Sequence, residues 1–171
     1  GKYTVAVPYH HFSCRMPCLS VGARLSASLE DIYEMAALFS AEWMNHLKDA
    51  WNAEPDVKDK LAEIGFNSVI CCGFKNEGDP RGVFVVENGV CVRAGSWNGE
   101  SADWDMRADM DDWLKWVKKG IGMMGLGTSY ATGKLKFKVG DYKAMMKDPR
   151  MAGPFVKSFG LMQQIGADEL G

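Results

Sequence analysis

The chain has 171 residues, 47% hydrophobic and 25% charged, with 20 basic side chains against 22 acidic ones for a formal net charge of -2. That length suits one domain with a sizeable core, and the balanced charge, with no long basic run, implies no nucleic-acid or anionic-membrane partner. No apolar run approaches the roughly 18 residues that cross a bilayer and the N-terminus lacks the order of a signal peptide, so no transmembrane segment is expected and the expected location is cytoplasmic.

Residues 1–25 read as an N-terminal extension and 26–171 as a single domain. The extension holds His10, His11, Cys14 and Cys18 together with Pro8 and Pro17. Imidazole and thiolate are good zinc ligands, yet this spacing fits no standard site and adjacent histidines rarely reach one ion. These four are therefore weak metal candidates, and neither a metal nor a cofactor is expected. Five cysteines are an odd count, and Cys71, Cys72 and Cys91 fall in apolar strand patterns, where the thiol acts as a small hydrophobe. No disulfide framework is expected.

Ser28 is a candidate cap for a long helix, because Leu29, Ile32, Ala36, Phe39, Trp43, Leu47 and Trp51 recur at three- and four-residue steps. Pro55 opens a second, short helix that Gly65 closes. Strands follow over Phe66–Lys75, Gly82–Glu87 and Val90–Trp97, the last two joined by Asn88-Gly89, a dipeptide suited to the positive φ angles of a hairpin turn. The next strand alternates Ala102, Trp104, Met106 and Ala108 with Asp103, Asp105 and Arg107, the charged set reading as an exposed, solubilising face. Asp109 then caps a helix with acids in its first turn and Lys118 and Lys119 near its end, a placement that opposes the helix dipole.

Residues 121–130 are apolar but carry three glycines, and read as an irregular loop. In Gly133-Lys134-Leu135-Lys136-Phe137-Lys138-Val139-Gly140-Asp141 the apolar residues alternate with lysines, which predicts a half-buried strand running into a helix capped by Asp141. A last helix is expected from about Pro154, with Phe155, Phe159, Met162 and Ile165 on one stripe.

The order of elements over residues 29–165, and above all the segments 102–117 and 131–147, resembles the sterol carrier protein type 2 family. The resemblance implies an α+β fold, a five-stranded, mostly antiparallel sheet covered by helices with an apolar cavity between. It also implies a non-catalytic protein that binds or transports a sterol, fatty acid, acyl-CoA or similar lipid. Carried onto this sequence, the wall of the tunnel would be Trp104, Met106, Leu114, Val117, Met123, Met124, Leu135, Phe137, Met145 and Phe159. The bulk of Trp104, Trp113 and Trp116 departs from the family and bears on the size of any tunnel. Eleven methionines fit such a wall, since an unbranched thioether adapts to irregular apolar shapes.

Catalysis has little support. Ser20, Ser96 and Ser101 lack a nucleophile-elbow context, His46 is the only histidine beyond the extension, and the glycines at 120–127 do not have dinucleotide spacing. Two other readings stay open: an accessory subunit that presents a hydrophobic intermediate to a partner enzyme, and a metal-binding protein using the His/Cys cluster; a partner enzyme or a second copy of the chain in a homodimer is the macromolecular partner these readings allow.

Overall fold

The structure, a computed structural model, describes residues 36–167. The domain division at residue 25, the Ser28 cap and the first half of the long apolar stripe lie outside that range.

Within it, Ala36, Leu38 and Phe39 are buried, but not as part of a helix. Phe39 has φ 62, a left-handed conformation costly for a bulky side chain. It is held by ring contacts of 5.0 to 5.6 Å with Trp43, Phe74 and Trp113. Helix α1 therefore starts only at Ala41 and runs to Asn52, with the Ser40 hydroxyl accepting from the Trp43 amide at 3.2 Å. Continuous helical spacing across residues 36–43 misreads this turn: the aromatic packing, not helix propensity, sets the backbone there.

Helix α2 is Pro55–Glu63, with proline in its first turn. Strands β1 (Ser68–Phe74), β2 (Gly82–Glu87), β3 (Val90–Ser96) and β4 (Trp104–Ala108) precede helices α3 (Met110–Lys119) and α4 (Met123–Ala131). Strand β5 (Lys136–Val139) and helices α5 (Tyr142–Lys147) and α6 (Pro149–Ile165) complete the domain. The five strands form one sheet in the order β3-β2-β1-β4-β5, with β1 and β4 parallel and the other neighbours antiparallel. The domain is thus α+β with a mostly antiparallel sheet.

Register fixes the two faces. Ile70 lies beside Phe84 and Trp104, Cys72 beside Met106, and Phe74 beside Ala108, so this row shares one face and looks toward the helices. The other face carries Cys71, Gly73, Val83, Asp105 and Arg107.

Three local readings need correction. Residues 123–131 form helix α4 rather than a loop; Leu126 and Ser129 are buried, and tertiary packing overrides the glycine content. Asp109 stands at the start of α3, but its carboxylate makes no cap and instead faces Lys75 at 3.4 Å. The last helix begins at Pro149, capped by Asp148, which leaves Pro154 inside it. Asp141, in contrast, caps α5 by accepting from the Ala144 amide at 3.0 Å.

The hairpin turn is packed against α2. Asn88 and Gly89 have φ of 48 and 83, and a Cβ on Gly89 would lie 2.4 Å from the Lys58 carbonyl oxygen and 2.5 Å from the Ala62 nitrogen. Gly89→Ala should cost about 2 kcal/mol, because the left-handed backbone and the backbone clash both oppose a side chain. Gly99 also has positive φ but opens onto free space, so Gly99→Ala should cost only about half as much. Urea unfolding of the two variants compares them, and equal losses would refute the packing argument.

Candidate functional site

Between the inner face of the sheet and the helices lies a cavity of about 60 Å³. Helix α1 contributes Met44, Leu47 and Trp51, and α2 contributes Leu61. The sheet side is formed by Ile70, Cys72, Phe84, Trp104, Met106 and Phe137, with Phe66 just before β1. Met145 of α5 and Met151, Pro154, Phe155, Ser158 and Met162 of α6 close it. The Ser158 hydroxyl donates to the Phe155 carbonyl at 2.5 Å, so its proton is spent on its own helix.

Four of the ten expected wall residues, Trp104, Met106, Phe137 and Met145, line this cavity. Leu114, Val117, Leu135 and Phe159 are buried in the core without lining it. Met123 and Met124 are placed differently: they are 52% and 89% exposed, in the first turn of α4. Lining contributed by α1 and β1 was missed, although the stripe Leu47, Trp51 and the apolar run Ile70-Cys71-Cys72 were signals for it.

The cavity is smaller than a tunnel for a reason visible in the rings. Trp113 stacks on Phe159 at 6.0 Å with only 8° between planes, Trp116 packs edge-on to Trp113 at 5.3 Å, and the Trp113 indole N–H donates to the Gly73 carbonyl at 3.0 Å. This fills the α3 side of the interior. On the β4–β5 side Trp104 packs edge-on to Phe137 at 6.0 Å and is seated over Gly140, where a Cβ would come within 2.3 Å of the indole, and both rings line the cavity that is left. About 10–15 Å³ on this measure holds one water, and ordinary small-molecule pockets run to several hundred Å³. As it stands the space does not admit an acyl chain unless its walls move.

The cavity lining carries one thiol, Cys72, and one hydroxyl, Ser158, while Cys91 is buried away from it. Burial drives the Cys72 thiol well above its ordinary range, helped by its neighbour Cys71, and burial likewise holds Cys91 at about 12. Such thiols are inert as nucleophiles.

On the other face of the sheet, Asp105 and Arg107 are not solvated as the strand pattern suggests. They are 7% and 1% exposed and form a bidentate pair at 2.5 and 3.0 Å. The segment after β1 folds back over them: Arg107 also donates to the carbonyls of Phe74, Glu77 and Gly78, and Pro80 packs over Gly73. Period-two alternation cannot show that a later loop covers the charged face. Burial, reinforced by the Asp105 carboxylate, pushes the neighbouring Cys71 thiol up to about 12.

His10, His11, Cys14 and Cys18 lie outside the described residues. Among the described residues no group of three or more His, Cys, Asp or Glu side chains could hold a metal ion, and no helix is long and apolar enough to cross a membrane.

This arrangement of sheet, helices and apolar interior is the sterol carrier protein fold. A crystal structure of sterol carrier protein 2 matches with a TM-score of 0.59 at 17% identity, over 74% of this chain and 98% of that one. The solution structure of a conserved hypothetical protein of Thermus thermophilus, assigned provisionally to the sterol carrier proteins, matches with a TM-score of 0.50 at 15% identity, over 78% and 95% of the two chains. No protein-family model matches the sequence, and no curated protein matches it. At these identities the likeness defines the fold.

Proposed function

We propose that the protein binds a hydrophobic small molecule, a sterol, fatty acid, acyl-CoA or similar lipid, without catalysing a reaction on it. The observation that carries this reading is an apolar cavity walled by five methionines, Met44, Met106, Met145, Met151 and Met162, between the sheet and the helices. Methionine has three rotatable side-chain bonds and changes shape at little cost, so these side chains swing aside and the small cavity widens around its guest. Contact falls to Cys72, Trp104, Met106, Phe137, Met145 and Phe155. A ligand burying about 300 Å² of apolar surface gains about 7 kcal/mol before the costs of ordering are subtracted. That is enough for binding with little selectivity.

Access runs through the open groove between α2 and α6, because Pro154 lines both the cavity and that groove. Proline has no N–H, so the Arg150 carbonyl one turn earlier lacks its usual helical donor and the helix yields there more readily.

Native mass spectrometry of the full chain purified from its own cells should weigh a retained lipid. Titration of the stripped protein with a fluorescent fatty acid and a fluorescent sterol should saturate at one site per chain. No adduct together with no saturable signal from either probe would refute the proposal.

A further inference from the structure

The whole-chain charge balance conceals a sharp local segregation. Between Trp113 and Gly140 there are six lysines and no acidic residue. Inside that stretch, residues 120–133 carry no charge at all. Its apolar side chains are not all buried: Met124 is 89% exposed and Met123 is 52% exposed, side by side at the tip where α3 hands over to α4.

The geometry around the tip holds it out. Gly120 ends α3 with φ 79 and sits against the side chain of Gln163, while Ile121 folds back over Gly125, where a Cβ would come within 2.8 Å of it. Gly122 precedes the first helical turn and gives it no side-chain cap. Leu126, one turn on from Met123, anchors α4 in the core with no exposure. Met123 and Met124 are thus presented outward from a fixed base, with exposed Lys115 and Lys119 preceding them in the chain on α3, Lys119 at its last turn and Lys115 one turn after the acids Asp111 and Asp112. Past the far end of α4 come exposed Lys134 and Lys136, the latter lying along Gly133.

We propose that this tip is a membrane-docking surface, in which Met123 and Met124 enter the headgroup boundary of an anionic bilayer and the flanking lysines face its negative charge. Two exposed apolar side chains alone bind a bilayer weakly, and a cluster of lysines alone binds it in a strongly salt-dependent way. The combination of a small apolar insertion with basic flanks makes reversible binding to an anionic surface. The inference is independent of the cavity residues, although it rests on the proposed lipid binding for its biological use, since a carrier of an insoluble ligand must meet the membrane that supplies it.

The test is co-sedimentation of the full chain with phosphatidylcholine vesicles containing about one-third phosphatidylglycerol, and with phosphatidylcholine vesicles alone. The protein should partition onto the anionic vesicles, hardly onto the neutral ones, and be released by about 0.5 M salt. The double variant Met123→Ser, Met124→Ser should lower the partition coefficient about tenfold, as should Lys115→Gln with Lys119→Gln. All four side chains are exposed, and an unchanged unfolding midpoint checks that the fold survives. Equal binding to both kinds of vesicle, or partitioning that ignores the methionine substitutions, would overturn the proposal. So would a dimer in sedimentation velocity that those substitutions dissolve, because the tip would then belong to a second copy of the chain. Fluorescent fatty-acid binding measured without vesicles should stay within about twofold in the methionine variant. If that solution binding is absent from the unmutated chain while vesicle docking persists, the cavity reading fails and the docking surface stands.

Discussion

Replacing Arg107 with alanine should cost the domain about 3–5 kcal/mol, the expected result of removing one partner from a buried ion pair. The guanidinium is 1% exposed and makes five hydrogen bonds: two to the Asp105 carboxylate and three to the carbonyls of Phe74, Glu77 and Gly78. Alanine leaves the carboxylate buried with no counter-charge and takes a donor from three carbonyls, of which Phe74 keeps the Glu77 amide and Gly78 the Lys138 ammonium. It also frees the segment after β1 from the sheet. Total stability of a domain is only about 5–15 kcal/mol, so the variant should be marginal at room temperature. Arg107→Met with Asp105→Asn, which removes both charges and keeps apolar bulk, should recover much of the loss. Urea unfolding measures all of these, and a loss under about 1 kcal/mol for Arg107→Ala would mean that water reaches the pair and that the outer face of the sheet is open.

That pair also shows where sequence reasoning stops. Signals that act within a few residues were legible: the Asn88-Gly89 turn, the Asp141 cap, and the dipole-opposing charges of α3 all appear where the pattern put them. Features decided by distant chain were not. Asp105 and Arg107 alternate like an exposed face, but residues 77–80 fold over them from another part of the chain. Phe39 continues a helical stripe in sequence while its backbone turns left-handed to meet Trp113, more than seventy residues away. The site divides in the same way. Trp104, Met106 and Phe137 share one face of adjacent strands, which alternation and element order reveal. Whether a methionine on a glycine-rich segment points in or out depends on which side of α4 meets the core, and Leu126 rather than Met123 or Met124 took that side.

Cys72→Leu should weaken lipid binding about a hundredfold while leaving the fold as stable as before or slightly more so. Cys72 lies on the inner face of a central strand, 2% exposed, with its side chain on the cavity. Leucine puts four carbons where cysteine has one carbon and one sulfur, so it grows into space that the ligand would otherwise claim. Larger residues normally strain a packed core by about 1–3 kcal/mol, but here the added methyl groups meet an apolar void and gain contacts instead. Cys72→Ala acts in the opposite sense: it enlarges the cavity, should keep or improve retention of a fluorescent fatty acid, and should lower stability by about 1 kcal/mol. Paired fluorescence titration and urea unfolding separate the two effects, because occupancy and packing move in opposite directions within this pair of variants. Undiminished affinity in a stable Cys72→Leu protein would place the ligand outside the sheet-lined cavity, and the open groove between α2 and α6, at about 520 Å³, would be the next space to probe. That groove mixes the charged side chains of Asp56, Lys60, Glu63, Arg150 and Lys157 with the apolar surface of Ile64, Pro149 and Pro154, so a ligand held there would carry polar groups beside an apolar part, a different balance from that of the cavity.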